Sequence, residues 1–365
     1  MYKIPFYARA SLIIIGFFTL ITMLYILQDI IVPIIYAIMI AILLVPMVDF
    51  FVRKKINRVL AITFSLVLVG IVVLFAIVLL SSRLSSFTES FPKLFDRFYE
   101  ILNQTVLWCS THFNISTTKL NLFIADFKAD MLNSSRTFIG NTINTVGNTV
   151  LIMILIPVYV FMILFYQPLL LDFIRKVFGK NNHAEVNLVL TSTKKLTQNY
   201  LVGLIIEFLL MAILNSAALL LLDIKYAIVI GIIGAILNII PYLGGLVAVA
   251  LPIMIALVTK DSAWYAVYVT IAYYLIQLFD NNYIVPKIVA SKVKINALVS
   301  IIVVFLFGAL WGISGMFLSI PLTAIIKVIF DNIDSLKPWG FLLGDTMPKI
   351  DIFRIKFKKK SVIKI

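Results

Sequence analysis

The sequence contains one cysteine, Cys109, and two histidines, His112 and His183, in 365 residues. A single thiol cannot close an internal disulfide, and two isolated imidazoles do not make a cysteine or histidine metal cluster. No metal site is expected. Walker A, HExxH and GxSxG patterns are all absent, so ATP hydrolysis, zinc hydrolysis and serine acyl transfer lack their parts. Neither an enzyme nor a cofactor is expected. Charge is scarce as well: Asp, Glu, Lys and Arg make up 13% of the chain against 62% hydrophobic residues, and the mean hydropathy is +1.08. A soluble domain of this size could not tolerate that surface, which places the chain in a membrane.

Long uncharged runs are what the sequence has instead: residues 10–28, 30–48, 59–82, 137–171 and 208–222, with more after Tyr226. A helical span needs about 20 mostly apolar residues. The runs are continuous rather than alternating, which excludes a β-barrel. Lys3 and Arg9 precede the first run, but that run is too long for a signal-peptide core, and it reads as an uncleaved span. The net charge of +14 is spread over loops and the tail FRIKFKKKSVIKI. This is the pattern of membrane orientation and anionic lipid contact, and nucleic acid is not an expected partner.

Loop charges set the orientation. RKKINR, residues 53–58, belongs on the cytoplasmic side, whereas Gln28-Asp29 carries no basic residue and is expected outside. The N-terminus is then cytoplasmic. Five regions follow: three N-terminal spans (1–82), an external helical domain (83–145), a fourth span with cytoplasmic amphipathic helices (146–199), a transport core (200–330) and a basic cytoplasmic tail (331–365). The external domain has apolar residues at helical spacing, including Phe91, Leu94, Phe95 and Phe98. It reads either as a packed hairpin that steadies the spans or as a ligand-binding cap.

Residues 226–258 hold no charge over about 33 positions, which as one helix would be roughly 50 Å long, against a hydrocarbon core of about 30 Å. One straight span is too long and two are too short. A re-entrant hairpin turning near Pro241, Tyr242 and Gly244-Gly245 fits, and it leaves Lys287, Lys292 and Lys294 on the cytoplasmic side. Residues 295–326 form a second long run broken at GALWGISG, with Trp311, Gly312 and Gly315 at the break. Tyr242 stands ten residues before Pro252, and Trp311 ten before Pro321. The expected architecture is therefore an all-α polytopic membrane protein of about six full spans plus two re-entrant helical hairpins in an inverted repeat. That layout belongs to secondary transporters, whose site lies near the midplane between broken helices.

Four groups are candidates for that site. Glu207 lies in the fifth span, where it serves either as a proton or cation relay or as a carboxyl reaching interfacial water. Gln277, Asp280, Asn281 and Asn282 form a polar stripe at the end of the sixth span, as a site or as an interfacial cap. Asn238 precedes the first turn, where an amide in hydrocarbon needs a partner. Tyr242 and Trp311 are gate residues or interfacial anchors.

Three motifs then carry a resemblance. Asn238, Pro241, Tyr242 and Gly244 match N-x-x-P-Y-x-G; Gln277, Asp280, Asn282, Pro286 and Lys287 match Q-x-x-(E/D)-x-N-x-x-x-P-(K/R); Gly308, Gly312, Gly315, Pro321 and Leu322 match the third, glycine-spaced pattern. The chain resembles the autoinducer-2 exporter family, once an uncharacterised bacterial permease family, most specifically after Tyr200. Gly245 departs from the proline that many relatives carry. The resemblance implies a bacterial inner-membrane secondary transporter and a homo-oligomer, a pentamer being the candidate assembly. It implies export of a small polar solute such as autoinducer-2 or, in other relatives, sodium or lithium exchange for protons. A channel or membrane scaffold is the alternative from another class.

Overall fold

A computed structural model describes residues 5–113, 154–179, 183–240, 244–289 and 295–346. The helices are α1 (Phe6–Ile26), α2 (Gln28–Arg53), α3 (Arg58–Phe113), α4 (Ile154–Phe165), α5 (Gln167–Val177), α6 (His183–Leu221), α7 (Ala227–Asn238), α8 (Gly244–Thr259), α9 (Trp264–Phe279), a π-helical run Asp280–Val289, α10 (Ala297–Asn332) and α11 (Lys337–Leu343). Five of these are long and apolar enough to cross a bilayer, or six when α4 and α5, bent by 64°, count as one. Among the described residues the extended structure is one bridge, Ile295 with Gly344. The protein is a multi-pass helical membrane protein, as its composition requires: without water, a spanning backbone must satisfy its own hydrogen bonds.

The join between the first two runs differs from the expected external loop. Gln28 and Asp29 open α2, and Leu27 alone separates it from α1. Leu27 N–H donates to the Met23 carbonyl and closes α1, and the Leu27 carbonyl accepts from Ile30 and Ile31 N–H to open α2, so a one-residue turn joins the two helices. α3 runs unbroken to Phe113, about 84 Å at the helical rise, and its second half must stand beyond the apolar layer. There Phe87, Phe91 and Phe95 pack on the start of α7 and the end of α8, with Leu219, Ile230, Ile255 and Val269 behind them. Tyr226 anchors the contact, its hydroxyl donating to Ser90 Oγ at 2.8 Å.

Prolines break the helices, and side chains from other helices repair the damage. Pro46 has no N–H for the carbonyl of Ile42, four residues back, and Gln198 Nε2 of α6 donates to that oxygen at 2.8 Å. Pro168 likewise orphans Leu164, whose carbonyl accepts from Arg58 Nη2 at 2.8 Å. These two repairs tie α2 to α6 and α3 to the α4–α5 bend.

Helix packing in the second half depends on small residues, as expected where lipid offers no hydrophobic drive. A Cβ on Gly231 would lie 2.6 Å from Ser216 N and 2.8 Å from its Cα, so α6 and α7 meet almost backbone to backbone. The chain doubles back twice. Gly244 abuts Leu237 and Asn238, while Gly234 faces Ala248; these pairs are symmetric about residue 241. Gly315 abuts the carbonyl of Phe307, and Gly308 faces Met316. In a straight helix, residues eight apart would be separated by about 12 Å, so α10 folds on itself. Its break is at Trp311 and Gly312, where Gly312 has φ +60° and ψ −142°, a conformation closed to residues with a Cβ.

Candidate functional site

α6, α7 and the α9–π junction bring four of the candidate side chains together. Asn238, at the last residue of α7, donates from Nδ2 to Asp280 Oδ2 at 3.0 Å and to Glu207 Oε1 at 3.5 Å. Gln277 Nε2 lies 3.4 Å from both Asp280 Oδ2 and Asn281 Oδ1. Glu207 is 7% exposed and Asp280 1%. One amide therefore bridges carboxyl groups from two helices that are far apart in sequence. Neither carboxyl forms an ion pair among the described residues, and Asp280 Oδ1 has no hydrogen-bond partner.

Local structure explains the convergence. α7 ends at Asn238 because the chain turns back there, which puts its side chain beyond the helical hydrogen-bond ladder. Asp280 is the first residue of a π-helical run, in which i→i+5 bonding widens the helix; such segments recur at functional sites. Gly245 completes the wall: a Cβ there would collide with the Gln277 amide, so the start of α8 lies directly on Gln277.

The remaining candidates lie elsewhere. Asn281 is exposed and touches the cluster through Gln277, and Asn282 caps its own helix, donating to the Leu278 carbonyl at 2.7 Å. Trp311 is buried in a separate cluster with Met39, Tyr200, Leu204 and Leu318. Its indole N–H donates at 3.0 Å to the carbonyl of Leu24, in the last turn of α1, where carbonyls lack onward partners. Gly312 and Gly315 form the fold-back beside it. Pro241 and Tyr242 lie outside the described residues.

Three features of the region carry no sequence motif. Tyr200, seven residues before Glu207 and on the same helix face, is buried. A cleft of about 350 Å³ lies between α2 and α6, lined by Leu43, Pro46, Gln198, Val202, Ile206 and Ile288 among others. Asn215 and Tyr273 lie one layer away on the same helices. Their signal is four-residue spacing: Glu207, Met211 and Asn215 on α6, and Tyr273, Gln277 and Asn281 on α9.

Comparison with known proteins agrees with this architecture. The model of the AI-2E family transporter matches residues 12–335. The AI-2 transport protein TqsA of Escherichia coli K12 is 26% identical over 320 residues, covering 87% of this chain and 90% of that protein. A putative transport protein of Haemophilus influenzae is 25% identical over 87% of this chain and 90% of its own length. The putative transport protein YueF of Bacillus subtilis is 23% identical over 63% and 62%. With nearly its whole helical extent matched, the chain belongs to the AI-2E transporter family.

Proposed function

We propose that this chain is a secondary transporter of a small polar solute, autoinducer-2 or a close relative, in the bacterial inner membrane. The observation that supports it best is the bridge from Asn238 to both Glu207 and Asp280 at the turn of a broken helix. Buried carboxyls are costly in a membrane and concentrate on transport pathways. A re-entrant disposition of residues 226–258 and 295–326, as inverted repeats within a core of residues 200–330, would put this cluster near the midplane. The cleft beside Ile206 is the route to it from the side of the basic loops. Cytoplasmic N- and C-termini follow from RKKINR and the basic tail, and a homo-oligomer in contact with membrane lipids is the working form.

The TqsA name supports the solute, and the paired carboxyls supply a coupling site for a proton or cation. Uptake of labelled autoinducer-2 into proteoliposomes tests the reading. Asn238→Ala and Asp280→Asn should abolish flux, while Asn282→Ala, whose side chain caps its own helix, should retain it. Wild-type flux in both cluster variants would overturn the site. No autoinducer-2 flux, together with collapse of a pH gradient on adding sodium or lithium, would replace solute export by cation/proton exchange.

A further inference from the structure

The carboxyl cluster has a neighbour built from the same three helices. One turn from Asn238 on α7 is Gly234; one turn from Gln277 on α9 is Tyr273; two turns from Glu207 on α6 is Asn215. Asn215 and Tyr273 are 1% and 7% exposed, and Asn215 Oδ1 and Tyr273 Oη have no hydrogen-bond partner among the described residues. Both side chains end at the same place: a Cβ built on Gly234 would lie 3.3 Å from Asn215 Nδ2, 3.6 Å from Tyr273 Oη and 3.7 Å from the Ala248 methyl. Met211, with Ala235 and Ile284, forms an apolar layer between this point and the carboxyls. On the far side it is backed by Leu219, Ile230, Ile255 and Val269.

Polar atoms so deeply buried are retained where something satisfies them, because an unmade hydrogen bond in a dry interior carries its full desolvation cost. Here an amide N–H and a phenolic hydroxyl from different helices, Asn215 Nδ2 and Tyr273 Oη, face the one residue without a side chain. We propose that Asn215, Gly234 and Tyr273 form a second binding station for a single neutral O–H group, which accepts from Asn215 Nδ2–H and donates to Tyr273 Oη. The station contains no formal charge, so its chemistry suits an O–H rather than a bare cation. That O–H is supplied by a water molecule or by a hydroxyl of a passing solute. Gly234 provides the space, and a methyl there would occupy it. The station goes beyond the transport reading and does not depend on what crosses the membrane.

X-ray radiolytic labelling of the full-length protein in detergent tests this, because a bound O–H generates radicals beside its ligands. Tyr273 should be oxidised despite its burial, and Gly234→Ala should suppress the labelling. Insensitivity to added D-ribose identifies water, whereas protection by D-ribose identifies a solute hydroxyl; both support the station. Melting temperature gives a second, independent sign. With an O–H bound, Tyr273→Phe and Asn215→Leu each break a hydrogen bond and melt lower. In a dry site each removes an orphaned polar atom and melts higher. Tyr273 labelling no greater than in Gly234→Ala, or higher melting in both apolar variants, would overturn the proposal, and neither measurement requires transport.

Discussion

A double-mutant cycle on Asn238 tests the carboxyl cluster without knowledge of the cargo. The perturbations are Asn238→Ala, Asp280→Ala and their combination, with a parallel cycle using Glu207→Ala. Hydrogen bonds between membrane helices average about 0.6 kcal/mol in such cycles, with a maximum near 1.7 kcal/mol. Asn238 to Asp280, at 3.0 Å, has ordinary geometry and a carboxyl acceptor. This pair should therefore couple by about 0.6–1.7 kcal/mol, within the membrane range. Asn238 to Glu207, at 3.5 Å, is at the edge of hydrogen-bond geometry and should couple by less than ~0.5 kcal/mol. Unfolding in mixed micelles, read by circular dichroism, gives both values. Zero coupling to Asp280, or a Glu207 coupling larger than that of Asp280, would refute the geometry on which the cluster rests.

Other perturbations act through single contacts. Gly245→Ala should leave the fold intact and displace the flexible Gln277 amide, lowering transport with little change in melting; a large melting loss would refute this. Gly231→Ala sets a methyl against the Ser216 backbone and should cost about 1–3 kcal/mol as overpacking, measured by denaturant unfolding. Gln198→Leu strips the Ile42 carbonyl of its partner at 2.8 Å and should cost about 1–3 kcal/mol, whereas the same change at an exposed position would be near neutral. Just before α7 and just after α8, Lys260 pairs with Asp223 at 2.8 Å. The hydrogen bond and charge of Lys260 lower the Asp223 carboxyl below its ordinary value. The pair's contribution is therefore complete above the unfolded carboxyl's value of about 3.9 and is lost as pH falls through the lower folded value. Paired melts of wild type and Asp223→Asn should converge only in that acidic window.

The sequence made the polar residues legible and left their partners hidden. Asn238 stood out because an amide in an uncharged run must be satisfied, and Asp280 and Gln277 because they interrupt the apolar pattern of α9. That one amide meets both carboxyls depends on the angle at which α7 crosses α6, which Gly231 and Ser216 set by close backbone contact. Spacing along a single helix cannot report that angle. Trp311 shows the converse. Its position relative to Pro321 matches that of Tyr242 relative to Pro252, yet its ring packs under α1, because Leu24 offers a free terminal carbonyl. The helical reading of residues 28 and 29 was also hidden, since two polar residues between apolar runs look like a loop.

α6 is the element that both doubled-back segments share. Near its start, Tyr200, Leu201 and Leu204 pack with Trp311 and Leu318 of α10. In its middle, Glu207 meets Asn238, and toward its end Leu219 packs with Ile230 of α7 and Ile255 of α8. The first contact is apolar and tied through Trp311 to α1, the middle one is polar, and the last is a dry plug capped by Phe87 and Phe95 of α3. The cleft at Ile206 opens on the α2 side of α6, with the plug at its opposite end. The α2–α6 cleft and the contacts of Leu219 with α7 and α8 therefore lie at opposite ends of α6. The Asn238 bridge to Glu207 and Asp280 lies between the two ends, so it joins the middle of α6 to the end of α7 and the start of the π-helical run.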